Sequence, residues 1–542
     1  LAADEPFARR QWHHVVGTYD GRQQKLYVDG KLAKTSLAQA GDIDYPPHAF
    51  YEIGGYRDDD EFYRTAGAIH EVCVFDRALS AEEIARRYEA KIDKLPKLSP
   101  LRLPAIFASN MVLQRDGELP VWGWADPGDE VVVKLNGDQA AAKADDQGRW
   151  ELKLPPQKAG GPHTLEVTAG EHKTVFHNVL IGEVWICSGQ SNMQWGVNAS
   201  ANAAEEIKAA NHPNIRLCTI PNVLKDQPQD DCDAGWHVCS PETVAPFSAV
   251  AYYFGRKLNE ELDVPIGLIN SSWGGSVCEA WMSREKLESR EEYKPILERA
   301  AGNLWNGTGM YNAMIHPVIP YRIRGAIWYQ GESNSPRGYQ YRTLFPDMIA
   351  DWRARWGQGD FPFYYVQLCP FARHDHEWPE LWEAQLMTLA VPNTGMAVTT
   401  DIAEVHNIHP PNKQDVGLRL ARWALAKDYG HDELVYSGPL YKSMQIDGDA
   451  IRLRFDHAEG LKSRDGGPLS WFTIAGEDQV FRPAVAVIEE GEVVVRGEGV
   501  KSPRAVRFGW LSTATPNLVN EAGLPASPFR TDDWPAVTAG RH

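Results

Sequence analysis

An α/β enzyme core between flanking β-sandwich domains is the fold this sequence predicts, and three observations carry the prediction. From residue 179 onward, short apolar runs alternate with amphipathic stretches, the pattern of a parallel sheet covered by helices on both faces. Before and after that region the runs are short and alternating, and they close on Asp-Gly or Asn-Gly turns, as sandwich strands do. The third observation is Gly189-Gln190-Ser191-Asn192-Met193, which stands where the apolar run Val184-Trp185-Ile186-Cys187 stops and a helix-prone stretch opens. In an open α/β sheet, the carboxyl ends of the strands face the ligand crevice, and the following helix N-terminus favours negative charge.

The chain has 542 residues, too many for one core, and at roughly 150 residues per domain three or four are expected. We divide it into residues 1–93, a linker over 94–100, and domains over 101–178, 179–430 and 431–542. In the first, His14-Val15-Val16-Gly17-Thr18-Tyr19-Asp20-Gly21 and Lys25-Leu26-Tyr27-Val28-Asp29-Gly30-Lys31-Leu32 read as strands, with a hairpin at Asp29-Gly30. These runs, with Ile53-Gly54-Gly55 and Phe75-Asp76-Arg77-Ala78-Leu79-Ser80, resemble the second half of a laminin-G-like, concanavalin-type jelly roll. Such modules include glycan binders and inert sandwiches, and fold alone does not choose between them. Where the first half of this module lies stays open.

Lys94-Leu95-Pro96-Lys97-Leu98-Ser99-Pro100 reads as the linker. The second sandwich follows, with Val131-Val132-Val133-Lys134-Leu135 meeting the turn Asn136-Gly137, and Trp150-Glu151-Leu152-Lys153-Leu154 ending at Pro155. In the α/β region, strand-like runs end at Ser188, Ile220, Asn270, Gln330, Leu368 and Asp401. Amphipathic stretches over 248–262 and 413–429 lie between or after them, the first with Ala251, Phe254, Leu258 and Leu262 on one stripe. Past Gly430, short alternating runs such as Ile451-Arg452-Leu453-Arg454-Phe455 return.

The formal charge of −18 argues against nucleic acid and anionic membranes as partners. No apolar run reaches the roughly 20 residues of a membrane span. Seven cysteines in so long a chain make no disulfide framework, although Cys232 and Cys239 are spaced to close one loop. The 19 tryptophans and 20 tyrosines exceed what a core alone asks for and suit stacking on sugar rings. We expect a secreted or periplasmic protein of undetermined oligomeric state.

A serine hydrolase needs a base to take the hydroxyl proton, an acid to orient that base, and donors for the oxyanion. The last α/β strand leads through Asp401 to Ile408-His409-Pro410 on one loop, so acid and base can share it; His406 is a rival base. Asn270-Ser271-Ser272-Trp273-Gly274-Gly275-Ser276 brings two glycines to another strand end, where a backbone N–H can approach a substrate closely. Ile327-Trp328-Tyr329-Gln330-Gly331-Glu332-Ser333-Asn334 brings an amide to a third. His374-Asp375-His376-Glu377 looks metal-like, but no distant ligand completes a set, and we read it as a solvated loop beside the site.

Together the pentapeptide around Ser191, Trp273-Gly274-Gly275-Ser276 with Trp281, the run over 328–334, and Asp401 with His409-Pro410-x-x-Lys413 resemble the sialate O-acetylesterase family of the SGNH-hydrolase superfamily. Asn110-Met111-Val112-Leu113-Gln114 and the run over 523–530 are similar to its flanking β-domains, so the resemblance covers roughly residues 100–540. It implies a flavodoxin-like α/β/α domain and a carbohydrate O-acetylesterase. Ser191 is then the nucleophile, His409 the base, and Asp401 the acid. The N–H groups of Ser191 and Gly275 and the amide of Gln330 form the oxyanion hole.

Two departures matter. Many superfamily members keep the acid three residues before the histidine, where this chain has His406, so Asp401 must fold back or a backbone carbonyl must serve. Trp382 stands where sialic-acid-directed relatives tend to carry arginine, which favours a neutral, plant-type acetylated glycan over a sialate. Glu332 either orients a group in the site or stabilises a turn. Trp195, Trp273, Trp305 and Trp382 are candidate subsite walls or core residues. No cofactor or metal is expected for the reaction, and a structural calcium ion in a sandwich stays open. With an ordinary imidazole as base, activity is expected to rise through about pH 6 to 8. Three other readings remain: a sialate 9-O-acetylesterase, a non-catalytic glycan-binding protein with a decayed site, and a glycosidase using Glu332 and Asp401 as its carboxylate pair.

Overall fold

The computed structural model describes residues 12–43, 53, 55–57, 62–64, 69–95, 99–373 and 376–542, in two compact units, Leu1–Pro100 and Leu101–His542. Gly54, residues 96–98 of the expected linker, and His374 and Asp375 lie outside the described residues. In the first unit, strands Val15–Tyr19, Gln24–Val28 and Lys31–Ser36 form an antiparallel meander. Helix Ala81–Ile92 is started by a capping box between Ser80 and Glu83, and its Ile84 joins Tyr27 and Leu79 in a small core.

The second unit is built on one long strand, β1 (His172–Gly189). Its first part pairs antiparallel with Gly160–Ala169 of the small sandwich, and its last part lies parallel to two core strands. The step expected between 178 and 179 is therefore a change of partner along a continuous strand. It coincides with a change in surroundings, since every residue from 179 to 189 is buried.

The core sheet adds β2 (His212–Thr219), β3 (Ile266–Ser272), β4 (Gly325–Tyr329), β5 (Phe363–Val366) and β6 (Thr394–Ala397). Their order is β2-β3-β1-β4-β5-β6, all parallel, with Trp236–Cys239 antiparallel on the β2 edge. The chain fills one side of β1 and then crosses to the other, so the topological switch, where such sheets bind ligands, lies at the carboxyl end of β1. Gly189 ends that strand at φ +139°, and a Cβ there would stand 2.2 Å from the Tyr329 carbonyl oxygen. Only glycine lets β1 and β4 close up directly below Ser191.

Five helices matter for the site: α1 (Ser191–Gln194), α2 (Ala249–Leu262), α3 (Gly338–Trp356), α4 (Trp378–Met387) and α5 (Lys413–Asp428). Register pairs Ser188 with Trp328, so Trp185 and Trp328 point to opposite faces of the sheet. Trp185 meets Phe254 of α2, which packs with α5, while Trp328 meets Phe345 and Trp352 of α3, which packs with α4. The core is thus the expected α/β/α arrangement.

A seven-stranded sheet from Leu440–Asp447 to Phe529–Arg530 closes the chain. It is bound to the core by polar contacts, among them Arg530 Nε to Glu383 at 2.8 Å and Gln367 Nε2 to Ser527 Oγ at 2.9 Å. All seven cysteines are free thiols, so Cys232 and Cys239 form no bridge.

Candidate active site

Ser191 opens α1 at the mouth of β1, and His409 stands on the loop that leads into α5. His409 Nε2 lies 2.8 Å from Ser191 Oγ, a hydrogen bond along which a proton can pass. His406 is exposed and makes no bond to Ser191. The imidazole is held below its ordinary pKa, first by burial and then by the Lys413 ammonium, so it is kept neutral and able to accept a proton. Trp195 stacks on it, with ring centroids 4.6 Å apart and planes inclined by 20°.

Behind this pair lies a buried polar cluster. Asn192 Oδ1 accepts from Lys413 Nζ at 2.5 Å, and its Nδ2 donates to Glu332 Oε1 at 2.6 Å and to the Ile408 carbonyl at 2.9 Å. One carboxamide thereby ties the nucleophile turn to the histidine loop. Burial pulls Lys413 down to about 8 and pushes the Glu332 carboxyl up. Tyr329 lies under the ammonium at 5.4 Å.

On the other side of Ser191, a Cβ at Gly274 would come within 3.2 Å of the serine Cβ, so this glycine lets the β3 loop close over the nucleophile. Gln194 Oε1 takes the Gly274 N–H at 2.7 Å and holds the loop there. The N–H groups of Ser191 and Gly275 make no hydrogen bond among the described residues. Trp273 and Trp305 meet edge to face at 5.0 Å beside Gly275, both partly exposed.

Three comparisons relate the chain to known proteins. Residues 181–426 match the family of carbohydrate esterases described as sialic acid-specific acetylesterases, and residues 1–85 match the concanavalin A-like lectin and glucanase superfamily. A carbohydrate acetylesterase from Xanthomonas citri superposes with a TM-score of 0.75 at 41% identity, over 80% of this chain and all of that one. The sialate O-acetylesterase of Homo sapiens is 33% identical over 64% of this chain and 74% of its own. That of Mus musculus is 31% identical over 67% of this chain and 80% of its own. The chain belongs to the sialate O-acetylesterase family. Like other members of that family it is an ester hydrolase of carbohydrates.

Within this sialate O-acetylesterase frame, three expectations are corrected. Asp401 does not reach His409: β6 ends at Ala397, and both carboxylate oxygens accept from Arg419 at 2.7 Å, with Arg464 at 3.8 Å. An acid held by two guanidinium groups staples the β6 loop to α5 and to the loop at Arg464 in the C-terminal region. His409 Nδ1 has no hydrogen-bond partner among the described residues.

Gln330 is wholly buried. Its Nε2 donates to the Ser276 carbonyl and to Asn334 Oδ1, and its Oε1 accepts from Tyr341. Both amide protons are used inside the wall, and none is left for an oxyanion. Trp382 is equally buried, its Nε1 donating to the Leu368 carbonyl at 2.7 Å, so it offers no face to a sugar.

Glu332 is brought to the site, through Asn192. It cannot form a glycosidase pair with Asp401, whose oxygens are already committed. Glu377 of the metal-like run pairs with Arg541, and among the described residues no group of side chains is placed to hold a metal ion. Asn192 and Lys413 were in view as motif letters, but their part in joining the two loops was not. The available signal was the spacing His409-Pro410-x-x-Lys413, which puts a lysine on the first turn of a helix, facing the loop it follows.

Proposed function

We propose that this chain removes acetyl groups from O-acetylated sugars through an acetyl-enzyme formed on Ser191. The observation that carries the reading is the 2.8 Å contact between Ser191 Oγ and His409 Nε2 at the switch point of the sheet. Ser191 Oγ bonds to the acetyl carbonyl carbon as its proton passes to His409 Nε2. The oxyanion of the tetrahedral intermediate is met by the N–H groups of Ser191 and Gly275. The C–O bond to the sugar then breaks, and the imidazolium returns the proton to the departing hydroxyl. Water, activated by the same imidazole, releases acetate.

For the substrate we favour a neutral acetylated glycan of the plant-polysaccharide type. The Trp273–Trp305 pair beside Gly275, with both indoles partly exposed, supports this. The second reading is a sialate 9-O-acetylesterase, in keeping with the curated relatives. It is favoured by Arg373, exposed on the loop after β5 and without an ion pair among the described residues. No metal or organic cofactor takes part in either.

Acetate release from acetylated xylan, xyloglucan, mannan, 9-O-acetylated sialic acid and 4-nitrophenyl acetate tests the proposal. Ser191→Ala is expected to lose all measurable turnover, and EDTA to leave the wild type unaffected; turnover retained in the variant refutes the acetyl-enzyme. Ranking the glycans decides between the two substrate classes. Non-catalytic binding predicts no acetate from any of them.

A further inference from the structure

With Asp401 bound to Arg419, no carboxylate among the described residues orients His409, yet the imidazole stands within bonding distance of the serine. One hydrogen bond at Nε2 fixes a single point and leaves the ring free to swing about it. The structure supplies the missing constraint from the nucleophile's own turn. We propose that Trp195 is the positioning residue for His409, its indole face setting the imidazole plane and stabilising the positive charge gained from Ser191. The inference rests on the Ser191–His409 reading given above.

Four observations support it. The stack is close and nearly parallel, at 4.6 Å and 20°. Trp195 is itself held on three sides: its Nε1 donates to the Ala199 carbonyl at 2.8 Å, its N–H to the Ser191 carbonyl at 2.9 Å, and its own carbonyl accepts from the Ala249 N–H at 2.8 Å. Nucleophile and wall therefore belong to one rigid turn, and their separation does not depend on the histidine loop. That loop is held independently, by Asn407 Oδ1 accepting the His409 N–H at 2.9 Å and by Asn192 donating to the Ile408 carbonyl. Finally, Nδ1 has no hydrogen-bond partner among the described residues, and Trp195 is the one aromatic ring among them that stacks on the imidazole.

The electrostatics point the same way. A cation over an indole face within about 6 Å is attracted to it, whereas a neutral imidazole gains much less. The contact therefore strengthens as the proton leaves Ser191 Oγ for Nε2 and weakens when the imidazolium passes it to the leaving sugar oxygen. An interaction stronger at the transition state than before it raises kcat.

Trp195→Leu and Trp195→Phe, assayed with 4-nitrophenyl acetate, test the proposal. Leucine is expected to lower kcat by about 10- to 100-fold with KM within about 3-fold, the scale of a misplaced catalytic group. Phenylalanine, which keeps a stacking face, is expected to recover most of that loss, which repair of packing alone would not predict. In the wild type, the His409 ring protons are expected to show an upfield ring-current shift and Nδ1–H to exchange freely with solvent. A kcat that survives in Trp195→Leu, or a loss confined to KM as for a sugar subsite, overturns the proposal. So does a slowly exchanging low-field Nδ1 proton, the mark of an acid partner, which needs no variant to observe. Normal kcat in Trp195→Leu beside an inactive Ser191→Ala refutes this inference alone; an active Ser191→Ala refutes the esterase mechanism and this inference with it.

Discussion

Lys413 shows how one buried charge tunes a neighbour. Its ammonium is taken out of water, held by Asn192 and lowered to about 8, and it acts together with burial to lower the His409 pKa. Only the neutral imidazole accepts the serine proton, so a lowered pKa extends activity toward acid. The acid limb of kcat/KM is therefore expected to have its midpoint below about 6.5, the value of a free imidazole, rather than at or above it. Lys413→Met removes one of the two causes, and the midpoint is expected to move up toward 6.5; an unmoved limb in a folded variant rules out the charge effect. Gln330 makes the opposite point, an amide in a catalytic motif with a structural task. Gln330→Ala strands the Ser276 carbonyl, Asn334 and Tyr341 in a dry wall, at a cost of about 1–3 kcal/mol per unpaired group. Denaturant unfolding should show that loss, while kcat of the folded fraction stays within a few-fold of wild type; a large fall in kcat at unchanged stability would restore Gln330 to the oxyanion hole.

At the scale of elements, the site depends on strand ends brought together by polar staples more than on any single helix. Asn192 joins α1 to the α5 loop, Gln194 joins α1 to the β3 loop, and Gln190 Oε1 accepts from the Gly331 and Ser333 N–H groups of the β4 loop at 3.4 Å. All three belong to the turn that carries the nucleophile. Farther out, buried Glu380 on α4 holds the C-terminal segment: its carboxylate accepts from the N–H groups of Val537 and Thr538 and from the Thr538 hydroxyl. Hydrogen bonds to a charged group contribute about 1.5–3 kcal/mol each. Glu380→Ala is thus expected to lower the melting temperature and expose the chain after residue 535 to protease. Unchanged cleavage kinetics would show that the segment is held by other contacts.

For the whole molecule, the division at Pro100 separates a small β-module from a unit that contains Ser191, His409 and the glycines of the β3 loop. A fragment of residues 101–542 is expected to fold and to release acetate from 4-nitrophenyl acetate at close to the full-length rate. If it is soluble but inactive, the first unit contributes to the site. No helix among the described residues is long and apolar enough to cross a membrane, in keeping with the apolar runs of the chain. The alternation of apolar and amphipathic runs made the sheet legible, and the residues predicted to end strands lie within a few positions of the observed ends. Motif order likewise brought Ser191, His409, Gly274 and Gly275 to one place, because in a parallel sheet every such turn faces the same crevice. Partner choice was not legible. Asp401 and Gln330 carry the right chemistry near strand ends and Trp382 on α4, and each is taken by a neighbour that packing selects: Arg419, Asn334 with Tyr341, and the Leu368 carbonyl. Sequence alone determined which functional groups arrive at the mouth of the sheet, since that follows from local periodicity and connection order. Only the tertiary structure decided which of them remain free to react, because a buried polar group bonds whatever lies within about 3 Å, and that neighbour is set by packing.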